Sequence, residues 1–378
     1  MMRQVLIYNA SWSTFGGGEK YMCTLADTLS QVDRYDVTLL IDRPSITREE
    51  LQKRFRLGME RVRFTQCTSK NVKSLLSSAD IGVVLSNFKP FGNHARKNVY
   101  MLQIPYPEIT AAGIVRKALR GELKESAKDV LRRSLLADAR AADLVLINSP
   151  FVQTFLHTHH GVKGSLLHPP IDDFFQHLPK EHIILSVGRF FRGLYNDKRY
   201  DVLIEAFKKL RERFHNTSWT YYIVGSCGSD AKSERYVKGL RDAAKGHPIY
   251  LHLNASYEDV QRYYNQAEIF WHAAGYNVDE QRFPERTEHF GMSTVEAMSA
   301  GAIPVVINKG GQKEIVSHGK SGYLWNTLDE LLENTSVLID NPDMRNMMQQ
   351  EARTRFHDFD RKHFSSRLIS LFKELDPD

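Results

Sequence analysis

Two carboxylates stand eight positions apart in the stretch TEHFGMSTVEAMSAGAIPVVI, at Glu288 and Glu296. An apolar-periodic run over residues 293–301 predicts a short helix opened by Ser293, and residues 303–307 predict a buried strand after it. One carboxylate is therefore expected in the loop before the helix and the other in its first turn. The backbone amides of residues 291–295 would be left free to face an anion. Such amides, beside carboxylates that accept sugar hydroxyls, suit a nucleotide-sugar.

Each carboxylate also has a purely structural interpretation. Ser293-x-x-Glu296 has the spacing of a capping box, in which the glutamate only satisfies an amide of its own helix. Glu288 has no helix to cap, and a loop carboxylate of this kind is usually solvated. The spacing by itself leaves both interpretations open.

The elements that must position these residues follow an alternating pattern. Apolar strands alternate with helical segments almost throughout, which predicts an α/β fold of two doubly wound, Rossmann-like parallel sheets facing across a cleft. A length of 378 residues also favours two domains. Residues 168–182 contain three prolines and few helical signals, so they are the best linker candidate. Strands are predicted at 4–10, 36–41, 62–65, 81–85, 99–104 and 144–148, then at 183–187, 220–224, 249–253, 269–272, 303–307 and 322–324.

Composition narrows the class of protein. The net charge of +6 favours an anionic partner such as a nucleotide diphosphate, a lipid pyrophosphate or an acidic membrane, and no nucleic-acid motif is present. Three cysteines without metal-ligand spacing predict reduced thiols in a cytoplasmic protein. The first residues predict a strand rather than a signal peptide, and no apolar run has the length that spans a bilayer. We therefore expect a cytoplasmic protein, either free or peripheral at the inner face of the membrane.

The motif around the two carboxylates resembles that of a known family. The eight-residue spacing from Glu288 to Glu296 is similar to the E-x7-E motif of the retaining glycosyltransferases of family 4, which have the GT-B fold. The residues that continue the resemblance are Ala297, Gly301, Pro304, Gly310, Gly311 and Glu314. The resemblance implies an N-terminal acceptor-binding domain over residues 1–170 and a nucleotide-sugar-binding domain over residues 171–357. A C-terminal helix within residues 358–378 would cross back to the first domain.

The resemblance also assigns roles in the second domain. Arg189 and Lys198 would hold the donor diphosphate, although the spacing between them is longer than usual, so Arg192 or Arg199 could replace Lys198. Glu296 would bind the nucleotide ribose, and Glu288 would bind hydroxyls of the donor sugar. Main-chain contacts to the donor would come from Phe290, Gly291, Met292 and Ser293. Asn254 and Ser226 lie where the family contacts base and phosphate, and each could equally be an ordinary turn residue.

The first domain matches the family less completely. Gly16, Gly17 and Gly18 form a turn between the first strand and the first helix, where close backbone approach to phosphate is feasible. This turn lacks the spacing of a dinucleotide site, but it resembles the family's GG-x-E turn. Many members also carry a histidine near the donor sugar, and residues 99–108 contain none. Main-chain carbonyls, Gln103 or Tyr106 would take its place.

Residues 113–136 combine many cations with an apolar stripe of Val115, Leu119, Leu123, Val130 and Leu135. The simplest interpretation is one amphipathic helix, within residues 115–139, packed on its own sheet. The functional interpretation is a surface for anionic lipid or for a polyprenyl-pyrophosphate acceptor.

The resemblance implies a retaining hexosyltransferase that needs no metal and no cofactor. Its partners would be a nucleotide-sugar donor and a saccharide or lipid-linked saccharide acceptor, in the assembly of surface polysaccharide or glycan. Two alternatives remain open. One is another enzyme of the same fold, a phosphorylase or an epimerase, and a phosphorylase would need a pyridoxal-phosphate lysine or an inorganic-phosphate site. The other is a non-catalytic partner that binds nucleotide-sugar or a companion transferase, which the intact glutamate pair and the Gly-Arg segment disfavour.

Overall fold

The computed structural model describes residues 2–10, 12, 16–191, 197–214 and 218–377. The chain divides into two compact units, Met1–Pro170 with Arg361–Asp378, and Ile171–Asp360. None of the described helices combines the length and the apolar character needed to cross a membrane.

The first unit is built around a parallel sheet of seven strands in the order β3-β2-β1-β4-β5-β6-β7. The order reverses between β1 and β4, which is the switch point of a doubly wound sheet. Its strands are β1 Arg3–Asn9, β2 Tyr35–Ile41, β3 Arg63–Gln66, β4 Ile81–Leu85, β5 Lys97–Leu102, β6 Leu144–Ile147 and β7 Ser165–Leu166. Its helices are α1 Gly17–Ser30, α2 Arg48–Phe55, α3 Val72–Ser77, α4 Ala111–Leu119, α5 Leu123–Arg140, α6 Pro150–His160 and α14 Arg361–Leu375.

Alternate residues of β1 enter separate hydrophobic cores on the two faces of this sheet. Val5 and Ile7 pack on one side, and Tyr8 packs on the other. The C-terminal helix α14 completes the first core, where Phe364 meets Tyr21 edge to face at 5.1 Å between ring centroids. The last turn of the chain is fixed as well, because the buried carboxylate of Asp376 pairs with Arg3 and Arg34.

The second unit contains a parallel sheet of six strands in the order β10-β9-β8-β11-β12-β13, so its switch point lies between β8 and β11. The strands are β8 Glu181–Val187, β9 Thr220–Gly225, β10 Ile249–Leu253, β11 Ala267–His272, β12 Ile303–Ile307 and β13 Tyr323–Trp325. The helices are α7 Tyr200–Arg213, α8 Ala231–Ala244, α9 Tyr257–Gln266, α10 Met292–Ser299, α11 Gln312–Ile315, α12 Leu328–Asp340 and α13 Pro342–Phe356. Two short 3-10 helices, Pro284–Arg286 and His357–Phe359, complete the unit.

The α/β class and the predicted strands are confirmed, most of them to within a residue or two. The prediction missed the two-residue strand β7, which is too short to show any periodicity. The single helix predicted within residues 115–139 was wrong. The structure has two helices there, because Gly121 adopts φ +78° in the segment between α4 and α5.

Candidate functional site

The carboxyl ends of β8 and β11 meet at the switch point of the second sheet, where ligands of doubly wound folds bind. β11 ends at His272, and the segment after β8 leads to Lys198. The Lys198 side chain lies against Gly188, where a Cβ would stand 3.0 Å from the lysine Cε. Lys198 forms an ion pair with Glu288, and the same carboxylate oxygen lies 3.2 Å from His272 Nε2. The Lys198 Nζ is 3.5 Å from that imidazole nitrogen. The three side chains therefore form one buried cluster.

Electrostatics fix the charge states of this cluster. Burial by itself favours a protonated Glu288, but the Lys198 ammonium and the His272 hydrogen bond outweigh it and hold the pKa of Glu288 well below its usual range. Burial lowers the pKa of His272 despite the opposing effect of its hydrogen bond to Glu288. At neutral pH the cluster therefore contains a carboxylate, an ammonium and a neutral imidazole.

His272 is a site residue that the sequence interpretation missed. The ionised Glu288 only accepts hydrogen bonds, so a neutral His272 must carry its proton on Nε2 and donate it to the carboxylate. The imidazole is 3% exposed, and within the described chain its Nδ1 has no hydrogen-bond partner. The available signal was a polar residue ending the apolar run IFWH.

The loop that carries Glu288 is fixed by the turn after β12. The amide of Gly311 donates to the carbonyl of Glu288 at 2.8 Å. Gly310 has φ +59°, and a Cβ there would stand 2.2 Å from the same carbonyl oxygen, so only glycine allows this approach. The Phe290 side chain anchors the loop to the core, since it is buried and packs on Phe359. Phe290 can therefore offer a ligand its main chain but not its ring.

Helix α10 begins one residue earlier than the sequence predicted. Its N-cap is Gly291, at φ +122°, and Ser293 lies inside the first turn. The amides of Thr294 and Val295 donate to the carbonyl of Gly291, so the prediction of free amides through Val295 was wrong. Among the described residues, the amides of Met292 and Ser293 have no partner, and the first turn contains no acidic side chain. This helix end therefore keeps two donors for an anion.

The capping-box interpretation of Glu296 does not hold in the structure. With Gly291 as N-cap, Ser293 is in the wrong position to cap, and no side-chain cap is formed. The Glu296 carboxylate instead accepts a hydrogen bond from the hydroxyl of Tyr264, on α9, at 2.9 Å. Tyr264 is fully buried, so it is a second residue that orients a predicted ligand and that the sequence interpretation missed.

The cations predicted around the diphosphate are not equivalent. Arg189 follows β8, is exposed, and its guanidinium lies 4.9 Å from the centre of the Phe191 ring. Arg199 is held elsewhere, because it donates to the carbonyl of Tyr276 and pairs with Asp201. Arg192 lies outside the described residues. Of the described alternatives, Lys198 is therefore the cation placed beside Glu288.

Asn254 and Ser226 help to build the ends of β9 and β10. Asn254 has φ +54°, and its side-chain oxygen accepts the amide of Cys227 at 2.9 Å. The carbonyl of Ser226 accepts the amide of Phe190 at 2.8 Å. The side-chain oxygen of Asn254 is thus used by the turn, which leaves its NH2 group as the part that could meet a base.

In the glycine turn of the first unit, one backbone amide already donates to a carboxylate of the chain itself. Gly16 caps α1, and its amide donates to Glu19 Oε2 at 2.9 Å. Within the described part of the chain the amides of Gly17 and Gly18 have no partner. Phe15, the first residue of the predicted motif, lies outside the described residues. The Glu19 charge disfavours a phosphate at the Gly16 amide, so phosphate binding by this turn stays a prediction.

The two candidates for the missing histidine differ. Tyr106 is buried, and its hydroxyl donates to the carbonyl of Asn87, so it holds the fold. Gln103 remains partly exposed, and its side-chain oxygen would lie 3.5 Å from a Cβ at Gly18. Its amide and its side chain both contact Asn87. Gln103 is therefore the side chain beside the glycine turn.

The second unit thus combines donors for an anion with carboxylates for hydroxyl groups. The described residues contain no cluster of three or more His, Cys, Asp or Glu arranged to hold a metal. All three cysteines are free thiols, and Cys23 and Cys67 are buried.

Comparison with known proteins agrees with this geometry. The family described as Glycosyl transferases group 1 matches residues 170–355, just under half of the chain and almost all of the second unit. The chain is 25% identical over 256 residues to the GDP-Man:Man(3)GlcNAc(2)-PP-Dol alpha-1,2-mannosyltransferase of Xenopus laevis. That alignment covers 62% of this chain and 49% of the relative, so the chain matches about half the length of this curated relative.

Solved structures share the fold of the whole chain. A glycosyltransferase from Rickettsia africae has a TM-score of 0.72 at 17% identity, over 99% of this chain and 98% of that one. HepE from Anabaena, in complex with UDP and glucose, has a TM-score of 0.69 at 15% identity, over 98% and 100% of the two chains. At these identities the likeness establishes the GT-B fold alone. By the family match, residues 170–355 belong to the group 1 glycosyltransferases, in a chain with the GT-B fold.

Proposed function

We propose that this protein is a retaining, metal-independent glycosyltransferase that moves a hexose from a nucleotide diphosphate sugar to a hydroxyl of a saccharide or lipid-linked saccharide. One observation carries the proposal. The ion pair of Lys198 and Glu288, held by His272, lies at the switch point of the second sheet. A cation that can exchange its carboxylate partner for phosphate suits a diphosphate. A carboxylate held in a fixed orientation suits the hydroxyl groups of a sugar.

The diphosphate would be bound by Lys198, Arg189 and the free amides of Met292 and Ser293. Lys198 is paired with Glu288 in the structure, so binding a diphosphate requires it to exchange that carboxylate for phosphate oxygens. The exchange replaces one charge-assisted contact by another, and it keeps the ammonium compensated throughout. These groups would also stabilise the charge that accumulates on the leaving diphosphate.

The two glutamates would position the donor rather than attack it. After Lys198 turns to the phosphates, His272 still donates to Glu288 and keeps the carboxylate aimed at the sugar hydroxyls. Tyr264 does the same for Glu296, which would accept the hydroxyls of the ribose. Fixed acceptors are valuable here because every hydroxyl of a bound sugar that stays unpaired weakens binding.

The proposed reaction is a substitution through an oxocarbenium-like state. The bond from the anomeric carbon to the phosphate oxygen breaks, and a bond from the acceptor oxygen forms on the same face of the sugar. The acceptor proton passes to the departing phosphate oxygen. Neither step requires a nucleophilic carboxylate, and cationic side chains replace a divalent ion at the leaving group.

The relatives indicate which donor to test first. The Xenopus laevis relative is named as a mannosyltransferase that uses a GDP-mannose donor and a lipid-linked acceptor. We therefore propose GDP-mannose as the leading candidate donor, with UDP-glucose second because HepE was solved with UDP and glucose. The proposed setting is the assembly of surface polysaccharide or lipid-linked oligosaccharide at the inner face of the membrane.

The test is a calorimetric binding screen of GDP- and UDP-linked sugars against the full chain. One donor should bind, and its free nucleoside diphosphate should bind through the same residues. With that donor and a matching saccharide acceptor, NMR should detect a product that retains the donor's anomeric configuration. Chelation by EDTA should leave the rate unchanged.

Three results would contradict the proposal. Absence of binding by every nucleotide-sugar would exclude a transferase of this class. Inversion at the anomeric carbon would refute the reaction. Activity lost in EDTA and restored by manganese would refute the cation-based stabilisation of the leaving group.

A further inference from the structure

Residues 111–140 form a helical hairpin, α4–α5, that projects apolar side chains into solvent. Helix α4 has no buried residue, and only the partly buried Ile114 packs against a core, whereas the later part of α5 enters that core through Leu135, Leu136 and Ala139. Of the twelve large apolar side chains that are exposed in the described chain, five lie in this hairpin. They are Val115, Leu119, Leu123, Val130 and Leu131, exposed by 57%, 84%, 66%, 53% and 41%.

The first half of α5 has its polar and apolar sides reversed. Leu123, Val130 and Leu131 recur at a helical spacing on the solvent side. The buried positions between them are Ser126 and Asp129. Asp129 is 4% exposed and pairs with Lys117 of α4 at 2.5 Å and with Arg132 at 2.8 Å. The interpretation of this segment as an amphipathic helix packed on its own sheet was therefore wrong for all but its C-terminal part.

This reversal costs free energy of folding, because apolar side chains of α5 remain in contact with water. Apolar residues of α5 would gain free energy by facing a core, yet ion pairs and a hydrogen bond from Ser126 to the carbonyl of Ile114 hold the polar side inward. Exposed apolar surface held in this way marks an interaction site. The Lys117–Asp129 pair and the hydrogen bond from Ser126 to Ile114 join the two helices, so the apolar side chains are held on a fixed frame.

The charge of the hairpin selects the kind of partner. Residues 111–140 contain eight Lys or Arg and four Asp or Glu, a net charge of +4 against +6 for the whole chain. Arg116, Arg120 and Lys124 surround the turn between the helices, are exposed, and have no ion pair with any described residue. Leu119 and Leu123 flank the same turn. Apolar side chains rimmed by unpaired cations match the interface of an anionic bilayer.

We propose that the α4–α5 hairpin is a docking surface for a membrane that contains anionic lipid. A second copy of this chain fits the surface poorly, because a two-fold contact through the hairpin would bring its cations against their own equivalents. In the bilayer interface the leucines would enter the acyl boundary and the cations would meet lipid phosphates. This proposal rests on the proposed function only for its setting, because vesicle binding and donor binding are measured separately.

The test is co-sedimentation of the full chain with phosphatidylcholine vesicles that do or do not contain phosphatidylglycerol. Wild type should bind only the anionic vesicles, and about 1 M salt should weaken the binding. Leu119→Glu combined with Leu123→Glu should reduce binding at least about tenfold. Both side chains are more than half exposed, so the variant should melt like wild type and bind donor like wild type.

Met347→Glu is the matched control, because Met347 is 70% exposed on α13 of the second unit. It should bind vesicles like wild type. Equal binding to neutral and anionic vesicles, no binding to either, or full binding by the double variant would each overturn the proposal. A concentration-dependent dimer that the double variant loses and Met347→Glu keeps would assign the hairpin to a second copy instead.

Discussion

The two sheets share a strand order around their switch points, but the groups at those points differ in charge. At the ends of β8 and β11 the second unit places Arg189, Lys198, His272 and the ionised Glu288. In the first unit, whose switch point lies between β1 and β4, the neutral side chains of Asn87 and Gln103 follow β4 and its neighbour β5 and contact each other.

The N-termini of helix α1, which follows β1, and of helix α10, which follows β11, also differ in charge. The N-terminus of α1 is already bonded to a carboxylate, because Glu19 accepts the amide of Gly16. The N-terminus of α10 has no acidic residue in its first turn, and two of its amides have no partner among the residues that the structure describes. A helix end attracts anions only where its own sequence has not supplied one. We therefore propose that phosphate binds in the second unit and that neutral hydroxyl groups bind in the first.

Lys198→Ala tests the charged groups of the second unit and should have the largest effect on turnover. Loss of a preorganised donor to the leaving group should lower turnover at least about 100-fold. The measurement is single-turnover transfer with the donor identified by binding. Lys208→Ala, which removes a lysine paired with Glu205 on the same unit, is the control and should keep wild-type turnover.

The variant leaves Glu288 buried with one partner fewer, so its fold must be checked by circular dichroism at the assay temperature. A folded Lys198→Ala protein with near-normal turnover would show that Lys198 does not stabilise the leaving diphosphate.

Glu296→Gln should have the next largest effect. It keeps the size of the side chain but weakens the charge-assisted bonds to ribose hydroxyls, so the donor Kd should rise about tenfold, or 1.4 kcal/mol. The melting temperature should stay close to that of wild type, because Glu296 caps no helix. Tyr264→Phe removes only the orienting hydroxyl and should raise Kd by a smaller factor. Early melting with normal donor binding would instead confine Glu296 to a structural role.

Gln103→Ala tests the neutral groups of the first unit. It should have a smaller effect, and that effect should fall on kcat/KM rather than on the Kd of the diphosphate. Loss of one hydrogen-bonding amide should lower kcat/KM by a few-fold, or about 1 kcal/mol. The Kd of the free nucleoside diphosphate should stay unchanged in calorimetry. The exposed Gln31 provides a control substitution in the same unit. A tenfold rise in the Kd of the nucleoside diphosphate would contradict the contrast between the two units, since it would place phosphate binding in the first unit as well.

His272→Asn should change the pH dependence of stability by the smallest amount. Burial depresses the pKa of His272, so below the usual value of about 6.5 the unfolded chain binds a proton that the folded chain does not. The stability contributed by His272 is thus present at pH 7 and is lost as the pH falls toward its folded pKa. Urea unfolding of wild type should weaken from pH 7 to 5 by on the order of 1 kcal/mol more than unfolding of the variant.

Glu288 does not contribute to this difference between pH 7 and 5, because its depressed pKa makes it titrate at lower pH. Burial also depresses the pKa of His160 in the first unit. His160→Asn should therefore flatten the pH dependence in the same way while leaving donor binding intact. Parallel unfolding profiles for wild type and His272→Asn would show that His272 is not the buried neutral group described.

Much of the molecule could be predicted along the chain. Strands such as β4, β10 and β12 were predicted at their observed bounds, because each is an apolar run between helical or turn segments. The spacing from Glu288 to Glu296 likewise placed one carboxylate before α10 and the other in the helix, although the prediction that Glu296 lies in its first turn was wrong because α10 already begins at Met292. The cap of that helix was misplaced by two residues, from Gly291 to Ser293, since Gly291 caps it through a backbone conformation that no side-chain pattern reveals.

What the sequence determined by itself was local: periodicity, turns and the order of elements, together with a motif specific enough to indicate a family. The tertiary structure decided which distant groups meet. It joined His272 to Glu288 and Tyr264 to Glu296, and it turned the apolar side of α5 outward because Asp129 is held by Lys117 and Arg132. Such pairings depend on distance and burial rather than on spacing along the chain, and only the packed fold sets those.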